Sequence, residues 1–395
     1  MDAAARTAGT APAGRSSSTR LPPGDFGVVL ATLRARRGWS VRETARRANV
    51  SEGQICNLEN GLRNPSPAVA AACDAAFEAD GELVGLAGAG RRDTRDDTIA
   101  ASGPVIAGYE RVLGELKGIG RSTGPRFVTP SIRSIIRILT DTGQRADGEE
   151  SAEIWLLASM FAEYAGWMAQ EAGNSAEALR WTNLAVRCGA RGGDETVAAY
   201  ALTRKAFIAQ HRGDTRAAIR FADQAARHPA ATPVIRAHAA RRAALAHARR
   251  GDAGACGDAL ERFRSHVAED TGGRPPHWGP RIGNGSSHLL EASCLLGLRR
   301  FGPAADLFAT ACGPAVPQDG NSRARFAVRQ ATALAGLDRL DDACLIVDAT
   351  LPAIRLIDSA TLRAELARFV QEARPRGPGP GQLALIDASD TLATG

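Results

Sequence analysis

An internal echo limits the folds open to this sequence. The stretch GWMAQEAGNSAEALRW (166–181) aligns with AFIAQHRGDTRAAIRF (206–221) at a spacing of 40 residues, and ALAHARRGDAGAC (244–256) follows 38 residues later. Each unit reads as a helix, a glycine turn and a second helix. Two weaker units, SCLLGLRRFGPAADLF (293–308) and ATALAGLDRLDDACLI (331–346), extend the series after a longer insertion, RPPHWGPRIGNGSS (274–287). A unit of this size cannot bury its apolar face alone, so repeats stack into a solenoid, and five units suffice for one. The equivalent positions are small: Gly166, Ala206, Ala244, Ser293 and Ala331 on the first helix, and Ala178, Ala218, Cys256, Ala305 and Ala343 on the second. Small side chains there let paired helices approach closely. Aromatic residues make up only 5% of the chain, too few for a typical all-β protein, and the class is therefore all-α.

The part before the repeats is organised differently. Residues 1–24 are rich in Ala, Ser, Thr, Pro and Gly without periodicity and read as a flexible arm. Phe26, Val29, Leu30, Leu33 and Arg37 then fall on one face of a helix that ends at Gly38. Ser40 to Glu43 and Ser51 to Gln54 are capping boxes, and Asn49 between them suits a left-handed helix end. Ser66-Pro67 opens a further helix through Phe77. The spacing predicts a bundle of four to five helices over 25–88, a linker at 89–104, helices near 105–117 and 130–143, and a helical-repeat domain over 105–373. A helix near 360–373 would cap it, and 374–395, with its RPRGPGPGQ run, reads as a flexible tail.

Charge and motif content exclude several functions. No apolar run approaches the roughly 18 to 20 residues of a membrane helix, and the first residues lack the basic-then-apolar order of a secretion signal. The seven cysteines lie far apart with no C-x-x-C pair, and the seven histidines include no H-E-x-x-H, so no metal site and no cofactor is expected. The two lysines, Lys117 and Lys205, sit in no phosphate-binding loop. Gly120 to Gly124 fits G-x-S-x-G, but a nucleophile elbow needs a strand before it, and ELKGI precedes it here. The chain reads as a non-enzyme of the cytoplasm, associated with the nucleoid.

Residues 40–61, SVRETARRANVSEGQICNLENG, carry the clearest functional pattern. Ile55 and Leu58 share a buried face, leaving Glu52, Gly53, Cys56 and Asn57 outward, small or polar as a groove-reading helix requires. Over 26–63 seven arginines stand against Glu43, Glu52 and Glu59, a net of +4, whereas Asp74, Glu78, Asp80 and Glu82 make the next stretch acidic. One side is thus suited to phosphates.

The segment 26–87 resembles the Cro/C1-type (Xre-family) helix-turn-helix domain through Leu33-Arg34, Gly38, Ser40, Ala45, Asn49-Val50-Ser51, Ile55, Leu58-Glu59, Gly61 and Pro65-Ser66. The resemblance implies that 51–60 is the recognition helix, with Glu52, Gly53, Cys56 and Asn57 near base edges and Gln54 and Arg63 near phosphates. Val41 stands where that family often has Gln, which shifts phosphate binding toward Arg42, Arg46 and Arg47. The repeats resemble a tetratricopeptide array of unusually long period. Its geometry implies an inward face that includes Trp167 and Gln170, Tyr200, Phe207 and Gln210, then His238 and Arg241. Those aromatic and amide pairs would form an effector groove, for a peptide or small molecule, or would pack repeat against repeat. Taken together, the expectation is a homodimeric transcriptional regulator that binds operator DNA and carries a helical-repeat sensor. The alternative is a protein-interaction adaptor whose helix-turn-helix no longer reads DNA.

Overall fold

The computed structural model describes residues 26–60, 63–89, 103–270, 278–280, 282, 285–311 and 320–394, all of whose regular structure is helical. The expected arm at 1–24 and most of the 89–104 linker lie outside these residues. Two compact units divide the chain, Met1–Thr98 and Ile99–Gly395.

The first unit holds α1 (Phe26–Arg36), α2 (Val41–Arg47), α3 (Glu52–Glu59), α4 (Pro67–Phe77) and α5 (Glu82–Ala89). Their boundaries are chemical. Gly38 and Asn49 take positive φ, at 64° and 50°, after α1 and α2. Ser40, Ser51 and Ser66 accept from the backbone N–H groups of Glu43, Gln54 and Val69, satisfying helix-end donors that would otherwise go unpaired. The core is Phe26, Val29 and Leu30 from α1, Ala45 and Ala48 beside α2, Ile55 and Leu58 from α3, Ala70, Cys73 and Phe77 from α4, and Leu83 from α5. Arg37, placed by periodicity on the apolar face of α1, instead lies past the helix end and donates to the Phe77 carbonyl at 2.8 Å.

The second unit begins with α6 (Gly103–Thr123) and α7 (Thr129–Gly143), followed by five helical hairpins. These are α8 (Gly148–Glu171) with α9 (Ser175–Arg191), α10 (Thr196–His211) with α11 (Thr215–Arg227), and α12 (Pro233–Arg249) with α13 (Ala253–Ala268). The last two are α14 (Ser286–Gly297) with α15 (Phe301–Ala311), and α16 (Gly320–Ala335) with α17 (Leu340–Ile357). Each hairpin is one sequence repeat. In the first three, Gly173, Gly213 and Gly251 supply a left-handed residue, and Asn174, Asp214 and Asp252 then cap the second helix. In the last two the left-handed residue is Arg299 or Asp338, which is why those repeats look weak as sequence. The ten small positions are buried, and their closeness lets the helices of each pair pack through Ala.

The end of the array returns to its beginning. The Glu171 carboxylate at the end of α8 accepts from Ser359 and, at 2.8 Å, from Thr361, at the start of α18 (Ala360–Ala373). Gly124 lies so close to the Ile357 carbonyl that a Cβ there would stand 1.9 Å from it. Gly120 similarly faces the Tyr164 hydroxyl, where a Cβ would meet it at 2.1 Å. The glycines of the G-x-S-x-G match are thus close-approach positions, and Ser122 sits on α6 with its hydroxyl turned back to the Gly118 and Ile119 carbonyls.

The composition of 374–395 suggests a loose tail, yet Pro380–Thr394 form α19, packed on α17 and α18. Pro375 to Gly379 lie before it and Pro380 is its first residue, while Ile386 is fully buried and Leu385 and Leu392 pack beside it. No helix among the described residues is long and apolar enough to cross a membrane.

Candidate functional site

Helix α3 is held by its ends, which leaves one face unencumbered. At its start, Ser51 and Gln54 form a reciprocal capping box, the Gln54 Oε1 accepting from the Ser51 N–H at 3.0 Å. At its other end Glu59 receives Nε and Nη2 of Arg34 on α1, at 2.5 and 2.9 Å, a bidentate pair. Arg34 also donates to the Trp39 carbonyl at 3.2 Å. Ile55 and Leu58 are buried, Glu52 and Gly53 are exposed, and Cys56 and Asn57 are half-buried on the outward side.

Helix α1 approaches α3 through Gly27. A Cβ there would lie 2.1 Å from the Leu58 carbonyl oxygen and 3.1 Å from that of Glu59. Gly27→Ala is therefore expected to lower the stability of this unit by about 1–3 kcal/mol, since backbone rather than a yielding side chain must shift. The midpoint of its urea unfolding, followed through Trp39, checks this; an unchanged midpoint would mean that α1 and α3 slide apart freely.

The arginines near α3 are more engaged than their number suggests. Glu43 receives both Arg46 and Arg47 at 2.7 Å, and these hydrogen bonds hold its carboxyl down to about 2. Arg47 also lies over the Trp39 ring, 4.3 Å from its centre, and that ring stacks on Phe77. Arg42 is 88% exposed, with Nε 3.9 Å from Glu52, and Arg63 is exposed beyond α3. Thr44 is fully buried with its hydroxyl on the Ser40 carbonyl.

The groove residues of the repeats turn toward one another. Trp167 stacks on Phe207 with ring centres 5.7 Å apart, joining the first repeat to the second. The Gln170 amide meets Nδ1 of His211 at 3.2 Å, and Gln210 donates to the Arg242 carbonyl at 2.8 Å. Tyr200 donates to Glu163 at 3.1 Å and stacks on Trp278 of the insertion, whose indole N–H reaches Asp194 and Thr196 at 3.0 Å. Burial pushes both His211 and His238 down to about 3, so both are neutral. These contacts pack repeat against repeat; of the seven inward-face residues only Trp167 and Arg241 are half-buried, and among the described residues Nε of Arg241 has no hydrogen-bond partner.

Sequence reasoning passed over Trp278, Arg204, Arg242, Arg329 and Glu365. A signal for three of them existed. Arg204, Arg242 and Arg329 each stand two residues before the small position of their repeat, Ala206, Ala244 and Ala331.

Residues 25–86 match the family model of a helix-turn-helix domain. The first unit is accordingly a helix-turn-helix domain, with α2 and α3 as its paired helices. No curated protein and no solved structure matches the chain.

Proposed function

We propose that this chain is a sequence-specific DNA-binding transcriptional regulator of the Cro/C1 (Xre) type, whose tetratricopeptide-like repeats sense an effector or mediate dimerisation. The observation that carries the reading is the outward face of α3, small or polar beside a rigidly anchored apolar face. In this reading Asn57 and Glu52 meet base edges, Gly53 and Cys56 allow close approach, and Gln54, Arg42, Arg46 and Arg63 face phosphates. A single such helix reads few base pairs, so two copies on an inverted repeat supply the specificity.

Selection of bound fragments from randomised DNA by the full chain tests this, with an inverted repeat of half-sites about one helical turn apart as the expected product. Binding should weaken steeply with salt, and Arg63→Ala should lower the slope of log affinity against log salt by about 1. A salt-independent affinity, or no enriched sequence, would favour the adaptor reading.

A further inference from the structure

The arginine column inside the repeats is costly as a folding device and makes sense as a binding one. Arg204 on α10 is 3% exposed, and among the described residues none of its three guanidinium nitrogens has a hydrogen-bond partner. Its nearest carboxylate, Glu163, stands 4.0 Å away and already accepts from Tyr200. Arg242 on α12 is 8% exposed, with Nε also unpartnered, as is Nε of the adjacent Arg241. The Arg242 guanidinium lies 3.9 Å from the centre of the Phe207 ring, and that of Arg204 lies 5.7 Å from the same ring and 4.9 Å from Trp167. Rings therefore cover the faces of these two cations, while among the described residues the three Arg204 nitrogens and Nε of Arg242 lack hydrogen-bond partners. Arg329, in the same column, shows the contrasting case: Glu365 takes it at 2.5 Å together with Arg368 at 2.6 Å.

A guanidinium keeps its proton in proteins, so a buried one whose nitrogens lack hydrogen-bond partners is suited to an anion from elsewhere. Burial and the charges of Arg325 and Arg329 lower Arg241 to about 10, and burial and Arg241 lower Arg242.

We propose that the inward face of α10 and α12 binds the phosphate group of a small phosphorylated molecule through Arg204, Arg241 and Arg242. A phosphate carries close to two charges and enough oxygens to serve several guanidinium edges at once, whereas one carboxylate matches one fork. The proposal deepens the sensing role given above to the repeats. It names the ligand class and does not depend on DNA.

The test is thermal unfolding of the full chain with pyrophosphate as probe, at an ionic strength held constant with sodium chloride. A saturable rise in Tm is expected, because a ligand that binds only the folded state stabilises it. Arg204→Met and Arg242→Met should each weaken the response roughly tenfold or more, while Arg63→Ala, in the other unit, should leave it unchanged. Without probe, Arg242→Met should melt no lower than the parent, since an unpaired buried charge has been replaced by an apolar chain. Succinate should bind roughly tenfold more weakly than pyrophosphate. No saturable shift at about 10 mM pyrophosphate, a shift retained in both Met variants, or an equal response to succinate would overturn the proposal. Such a failure leaves the DNA selection result standing, and a failed selection leaves this one standing.

Discussion

Alanine in place of Asn57 is expected to weaken binding of the full chain to its preferred DNA site by roughly 5- to 150-fold, about 1–3 kcal/mol, the worth of one bidentate base contact. Nonspecific affinity and its salt dependence should stay as they were, because no phosphate contact is lost. The structure makes this substitution a clean one. Asn57 takes no part in the Ser51–Gln54 capping box, in the Arg34–Glu59 pair or in the buried contacts of Ile55 and Leu58. Gln54→Ala is less clean, because it removes half of that capping box and so costs about 1 kcal/mol of helix stability along with any phosphate contact. The measurement is affinity for the selected site and for an unrelated duplex, parent against variant, at two salt concentrations. Equal affinity of parent and variant for the selected site would mean that α3 does not read it.

What could be read from the sequence of this domain was its punctuation. Serine caps, left-handed Asn49 and Gly38, and the Ile55/Leu58 spacing are local signals, and the helices formed where these placed them. The partners of the charges were harder to see. A count of seven arginines against three carboxylates over 26–63 suggests a broad positive patch. The Glu43 pairs with Arg46 and Arg47 follow from helical spacing, but Arg34 and Glu59 are 25 residues apart and meet only because Gly27 lets two helices touch. Charge counting does not contain that crossing.

In the repeats, too, local signals carried the architecture and tertiary contacts decided the site. The Gly-Asn and Gly-Asp turns of the first three hairpins announce their period, whereas in the tail the Pro and Gly residues mask the helical spacing of Leu385, Ile386 and Leu392. Periodicity puts Trp167 and Phe207, and likewise Gln170 and Gln210, at equivalent positions of their repeats. It does not say whether the next repeat covers them, and Phe207 in fact lies against Trp167 on one side and Arg242 on another. Trp278 lies in an insertion with no periodicity, so nothing local ties it to Tyr200.

Glu365→Ala is expected to destabilise the repeat unit by about 3–5 kcal/mol, the loss typical of removing one partner from a buried ion pair. Glu365 is 5% exposed and carries two arginines, and Arg329 in turn donates to Ser293 at 2.9 Å, so the pair ties α18 to α16 and α14. Burial alone would raise the carboxyl, but the charges of Arg329 and Arg368 and the Arg329 hydrogen bond outweigh it and hold the group well below the usual carboxylate range. A carboxyl depressed in the folded state contributes its full stabilisation above its unfolded value, about 4.3, and loses it as the pH falls toward the folded value. The gap between parent and variant should thus be constant from neutral pH to about 4.5 and should narrow below that. Glu365→Gln, which keeps the shape but not the charge, should fall between the two. Thermal or urea unfolding at neutral and acid pH reads all three proteins. The contrast with Arg242→Met sharpens the point: one substitution strands cations that the fold had paired, and the other removes a cation with no carboxylate partner among the described residues. A loss under about 1 kcal/mol for Glu365→Ala would mean that Arg329 and Arg368 find solvent or other partners without it, and that the interior of the repeats tolerates unpaired arginines for reasons other than ligand binding.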